Sequence, residues 1–120
     1  MLSNITSMAL HGLDGYDVSV QVDVSAGMPC FEIVGLPDTS VRESKERVKT
    51  AIKNSGVELL SRRIIVNLAP ANTKKEGSVF DLPIAIGIMI SIDAIDSEKA
   101  NSKLVNTVVI GELSLRRKDL

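Results

Sequence analysis

The sequence predicts a two-layer α+β domain, a mixed sheet with its helices on one face, and three observations carry that expectation. Tyr16, Val18, Val20, Val22 and Val24 alternate with Asp17, Ser19, Gln21 and Asp23, the period-two pattern of a half-buried strand. Leu82 to Ile90 has almost no polar side, the mark of a helix buried all round. Other strand-like segments lie before and between this helix and an amphipathic one, giving the order β-β-β-α-β-α-β. A chain of 120 residues, 44% of them hydrophobic, suits one domain with its own core.

Taken in order, Ile5 to His11 reads as a short strand, and Gly12-Leu13-Asp14-Gly15 as the turn into the alternating strand. Ser25 to Pro29 is a second turn, after which Phe31, Ile33 and Val34 form a strand returning along the previous one as a hairpin. Gly35-Leu36-Pro37 breaks that strand. Asp38 is the expected N-cap of the first helix, with Thr39 and Ser40 as alternatives and Ser40–Glu43 at capping-box spacing. Val41, Val48, Ala51 and Ile52 make its apolar stripe, and Gly56 its left-handed stop. Its charged residues form a solvated face that doubles as a candidate subunit face. Ile64 to Leu68 is apolar on both sides, as in a central strand. Asp81 is the expected N-cap of the second helix, since Pro83 is tolerated only in a first turn. Gly87 suggests close approach of another element. Residues 93–103 hold a short helical turn, and Leu104 to Ile110 reads as a further buried strand.

Composition removes several classes of function. With 14 basic and 15 acidic residues the chain has no global attraction to nucleic acid or membrane. Its one cysteine, Cys30, makes no internal disulfide and no zinc site, and reads as a strand thiol; a nucleophilic role needs His11, which has no flanking signature. No signal peptide opens the sequence, and the run from Leu82 to Ile92 is too short to span a bilayer, so a cytoplasmic protein is expected. Tyr16, Phe31 and Phe80 are too few for a base-stacking surface. There is no Gly-x-x-x-x-Gly-Lys-Ser/Thr, no His-Glu-x-x-His and no cysteine cluster, so neither ATP hydrolysis nor a metal is expected of these residues.

The segment with most chemical interest is Lys74-Lys75-Glu76-Gly77-Ser78-Val79-Phe80-Asp81-Leu82-Pro83. A charged, Gly-containing turn running into a buried helix places backbone N–H groups and lysines where an anion, a peptide carbonyl or a neighbouring subunit can be held. Gly77 and Ser78 are its turn residues. Ser78 is also a candidate nucleophile, with a lysine as base, against the plainer reading of a turn serine. Lys74 and Lys75 are candidate phosphate contacts, as are Arg62 and Arg63. A strand separates the two pairs by roughly 20 Å, so they form two small basic spots.

Gly35-Leu36-Pro37-Asp38-Thr39-Ser40-Val41-Arg42-Glu43-Ser44, with Arg47-Val48, and Val66-Asn67-Leu68-Ala69-Pro70-Ala71, with Lys75 to Ala85, resemble the N-terminal domain of the ComM (YifB) competence-protein family, magnesium-chelatase-like AAA+ ATPases of bacteria. Leu10 to Leu13 and Ile110 to Ser114 also fit. The resemblance implies a ribosomal-protein-S5 domain-2-like fold, similar to the proteolytic domain of Lon. It implies that the chain is a Lon-like N-terminal domain over residues 1–120, cut before its ATPase module. In Lon-type proteases the corresponding turn carries the catalytic serine two residues after the glycine. Here that position is Val79, and Ser78 stands where the proline would be. The resemblance therefore implies a non-catalytic accessory domain of a DNA branch-migration motor in natural transformation, aiding ring assembly or DNA handling. ATP and Mg2+ belong to the absent module, DNA is a partner through the parent, and the parent is a hexameric ring. The alternatives are a Ser–Lys peptidase using Ser78, or a magnesium chelatase ATPase subunit. The chelatase motor shares the ATPase module, while the Lon-like front end belongs to the ComM branch.

Overall fold

A computed structural model describes residues 2–11, 13–59, 62–70, 75 and 78–114. The alternating strand is the longest element. β2 (Asp14–Ala26) buries Val18, Val20, Val22 and Val24 and leaves Ser19, Gln21 and Asp23 half-exposed on the other face. β1 (Leu2–His11) pairs with it antiparallel, in a register that sets His11 opposite Asp14.

The next strand departs from the expected hairpin. β3 (Cys30–Val34) does not pair with β2. It lies parallel to β4 (Arg62–Ala69), which inserts between them and runs antiparallel to β2, giving the order β1-β2-β4-β3. The cause is the helix between β3 and β4. A strand, a crossover helix and a second strand pair in parallel, so β3 and β4 form one unit that docks on β2 through β4. Gly35 permits the fit: its φ is +109°, and a Cβ there would lie 2.6 Å from the Leu68 carbonyl oxygen. β4 is central, as its apolar run implies. It buries Ile64, Val66 and Leu68, while the other face is only half-covered.

α1 (Asp38–Asn54) and α2 (Asp81–Ser91) cover the inner face of the sheet, α2 against β1 and β2, α1 beside it near β3. Val48 and Ile52 of α1 are buried, as expected, but Asp38 caps nothing. It is the first helical residue, after Pro37, where a carboxylate still complements the helix dipole. Gly56 follows Ser55 with φ +90°, and its N–H and that of Val57 close the helix on the Lys53 and Ile52 carbonyls, the Schellman arrangement. α2 is buried nearly all round. Gly87 brings it so close to β2 that a Cβ would sit 2.6 Å from Cγ2 of Val22. Ser3 Oγ donates to the Gly87 carbonyl at 2.8 Å, and Ser91 Oγ donates to Ser3 Oγ at 3.0 Å, so the polar groups in this contact satisfy one another.

The polar stretch after α2 contains α3 (Ser97–Leu104), capped by Asp96, whose carboxylate accepts from the N–H groups of Glu98 and Lys99. The buried strand expected over Leu104 to Ile110 does not form. Leu104 ends α3, Asn106 has φ +59°, and Val105, Val108 and Ile110 are exposed. The left-handed Asn106 uses the first half of the run as a turn. Only Val109 is buried, with its N–H donating to the Thr6 carbonyl at the edge of β1.

Candidate functional site: a buried carboxylate joining two segments

Asp81 is fully buried at the first residue of α2, and it is not the N-cap; that position is Phe80. Its carboxylate reaches across to α1. Ser44 Oγ donates to Oδ1 at 2.7 Å, and Arg47 donates through Nε to Oδ2 at 2.5 Å and through Nη2 to Oδ1 at 3.3 Å. The fourth donor is the backbone N–H of Leu113, 3.2 Å from Oδ2. Each carboxylate oxygen thus accepts two hydrogen bonds, which offsets the large cost of burying a charge. Two further bonds bind the 109–113 segment to the start of α2: Leu82 N–H donates to the Gly111 carbonyl at 3.0 Å, and Gly111 N–H to the Val79 carbonyl at 2.8 Å.

Arg47 is held above the ordinary arginine range, first by its hydrogen bond to Asp81, with burial opposing and the charges of Asp81, Glu112 and Glu43 adding to it. Beside it opens a groove of about 590 Å³ lined by Glu43, Glu46, Glu112, Leu113 and Ser114. The lining carries the carboxylates of Glu43, Glu46 and Glu112 beside a guanidinium already committed to Asp81.

In the sequence Ser44 and Arg47 stand in a signature segment, with Arg47 among the charged residues of a solvated helix face; the structure instead turns Arg47 inward to Asp81, which leaves its side chain only 18% exposed. A signal was present: Ser44 lies at helical spacing between Val41 and Val48, a polar residue on the apolar stripe. A buried serine on such a stripe needs a partner across the interface.

The other predicted residues are dispersed. Lys74 and Gly77, and the side chain of His11, lie outside the described residues. Lys75 is buried at 2% exposure, with its ammonium donating to the Pro70 carbonyl, and burial pulls its pKa below the ordinary lysine value. It is therefore not an open phosphate contact. Ser78 is a half-buried turn residue whose carbonyl accepts from the Asp81 N–H at 3.1 Å. Val79 packs partly buried against the core. Arg62 and Arg63 are exposed at the start of β4, the end of that strand away from Pro70. Cys30 is half-buried at the start of β3. Among the described residues no group of acidic, histidine or cysteine side chains is arranged to hold a metal, and no helix is long and apolar enough to cross a membrane.

The fold and the site define a two-layer α+β domain in which Gly35 to Val48 and Val66 to Ala85 meet twice, at Gly35–Leu68 and at Ser44–Arg47–Asp81. Residues 20–118 match the family model described as Subunit ChlI of Mg-chelatase, and the chain belongs to that family. It is 40% identical over 114 residues to the uncharacterized protein YifB of Escherichia coli, covering 95% of this chain and 22% of that protein. It is 41% identical to the competence protein ComM of Haemophilus influenzae, and 37% identical to an uncharacterized protein of Mycobacterium tuberculosis, each with the same coverage. The chain thus spans about a fifth of the length of these relatives.

Proposed function

We propose that this chain is a non-catalytic accessory domain of a longer, ring-forming AAA+ ATPase acting on DNA in natural transformation, and that it aids ring assembly or DNA handling. One observation carries the reading: where the resemblance to Lon-type domains would put a nucleophile, the chain has Val79, an apolar side chain packed on the core. The polar groups around it serve structure. Ser78 closes a turn, Lys75 bonds a carbonyl, and Asp81 joins two helices. The similarity to a protein named for competence supports the DNA setting. These 120 residues contain no nucleotide-binding loop, so ATP and Mg2+ belong to another part of the longer protein. The S5-like relationship is part of the same proposal; the two-layer sheet and its helices agree with it.

DNA titration of this chain across a salt series, against an Arg62→Ala/Arg63→Ala variant, tests the reading. These arginines are exposed and form no ion pair among the described residues, so they replace the buried Lys75 as the contacts to probe. Phosphate contact predicts affinity that falls with salt, with a log–log slope shallower by roughly 2 in the variant. Absence of binding at low salt would remove DNA handling and leave ring assembly. Peptide hydrolysis that disappears in Ser78→Ala would overturn the accessory reading itself.

A further inference from the structure

We propose that the tip of the β1–β2 hairpin docks into a groove at the far end of the sheet on a second copy of this chain. Leu13 stands next to Asp14, the first residue of β2, and is fully exposed, at 103% of its reference area. Asp14 and Asp17 beside it are exposed too. A single exposed leucine needs no explanation by itself. The second observation is a site that matches it. A groove of about 490 Å³ has Phe31, Leu59 and Ile64 as its apolar floor and Lys49 and Arg62 on its rim. A neighbouring groove of about 560 Å³ shares Lys49 and Leu59 but carries Glu46 and Glu58 beside Lys53, so the cationic rim is confined to the Phe31–Leu59–Ile64 groove. Among the described residues neither Lys49 nor Arg62 forms an ion pair, so both charges face outward unmatched. An apolar knob flanked by carboxylates is the complement of an apolar floor rimmed by cations.

The tip does not reach its own groove. Leu13 adjoins the first residue of β2, whereas Arg62 and Arg63 pair with Ala26 and Ser25 at its last residues. Thirteen residues of strand put roughly 40 Å between them, about the long dimension of the molecule. The occupant is therefore another copy. Because the knob and the groove are different surfaces, each copy gives one and receives the other, and the contact continues from copy to copy unless it closes. This deepens the ring-assembly side of the proposed function and rests on that reading for its use, while the contact itself is a property of this chain.

A contact built on one leucine and its flanking charges is weak, with Kd on the order of 0.1–1 mM. Sedimentation equilibrium of the chain over that range is expected to show association, weakened at least about tenfold in Leu13→Ser and in Lys49→Glu. Both positions are exposed, so folding survives. The decisive measurement mixes the variants. Labelled Leu13→Ser, which keeps the groove, titrated with unlabelled Lys49→Glu, which keeps the tip, should show amide shifts confined to the segments around Phe31, Lys49 and Leu59. The opposite labelling should shift only Leu13, Asp14 and their neighbours. A chain that stays monomeric to about 1 mM overturns the proposal, as does association undiminished in either variant, or a mixture with no shifts. Arg62 lies on the groove rim and is also altered in the DNA titration, so association is measured without DNA, and Leu13→Ser, which removes no basic residue, should leave DNA affinity unchanged; each reading then fails separately.

Discussion

Asp81→Asn tests whether the buried carboxylate holds the two segments together. The substitution keeps size and shape and removes the charge. Each oxygen of Asp81 accepts two hydrogen bonds, one pair from Ser44 and Arg47 Nη2, the other from Arg47 Nε and Leu113 N–H. With NH2 at the Oδ2 position, Arg47 Nε and Leu113 N–H both face a donor; with NH2 at the Oδ1 position, Ser44 Oγ can turn to accept from it and Arg47 Nη2 alone faces a donor. Arg47, only 18% exposed at its side chain, also loses the carboxylate that offsets its burial. Hydrogen bonds to charged groups contribute about 1.5–3 kcal/mol each, and breaking a buried pair from one side costs about 3–5 kcal/mol. Some relaxation toward water through the neighbouring groove lowers the total, and the expected loss is about 3 kcal/mol. For 120 residues the unfolding entropy is about 0.25 kcal/mol per kelvin, so the melting temperature should drop by about 12 °C. Urea unfolding followed by circular dichroism measures the loss directly, and an Arg47→Met cycle should return a coupling of at least about 1 kcal/mol. A loss below about 1 kcal/mol for Asp81→Asn, or no coupling with Arg47, would refute the reasoning.

Gly87→Ala should destabilise although alanine favours helices. The gain of up to about 1 kcal/mol is opposed by a Cβ placed 2.6 Å from Val22 Cγ2 and 3.2 Å from Ser3 Oγ, overpacking that costs about 1–3 kcal/mol; a raised urea midpoint would contradict this. Lys75 predicts an alkaline effect. Its pKa is lower in the fold, so between that value and the ordinary lysine value of about 10.4 the unfolded chain binds the extra proton, and stability rises with pH. Relative to Lys75→Met, the native chain should gain stability as the pH rises toward the ordinary lysine value of about 10.4, by less than about 1.4 kcal/mol per unit, and parallel pH profiles would rule out the buried ammonium as the cause.

The elements that face one environment were legible in the sequence. The strict alternation from Tyr16 to Val24 has a single structural solution, and so does the unbroken apolar surface of Leu82 to Ile90. What was hidden depends on partners distant in the chain. Nothing local in Cys30 to Val34 distinguishes a hairpin with β2 from a parallel place beside β4; the choice lies with the intervening helix and the Gly35–Leu68 contact. Likewise, an aspartate before a buried helix looks like a cap until Ser44 and Arg47 arrive from 37 and 34 residues away. The run from Leu104 to Ile110 was misread because apolar content was taken for burial, and a left-handed Asn106 breaks the extended backbone. Lys75 shows the reverse error, a charged residue assigned to the surface that the fold encloses.

The stitching of residues 109–113 has a mechanical meaning. Tension passing down the chain through Leu113 loads the Leu113–Asp81 bond, then the paired bonds of Gly111 to Val79 and Leu82, and afterwards the bond between Val109 and Thr6 of β1. A pull therefore arrives at the root of α2 before it strains the sheet. There it divides, because the carboxylate that grips Leu113 also grips Arg47 and Ser44 of α1. The two helices share the force as a yoke.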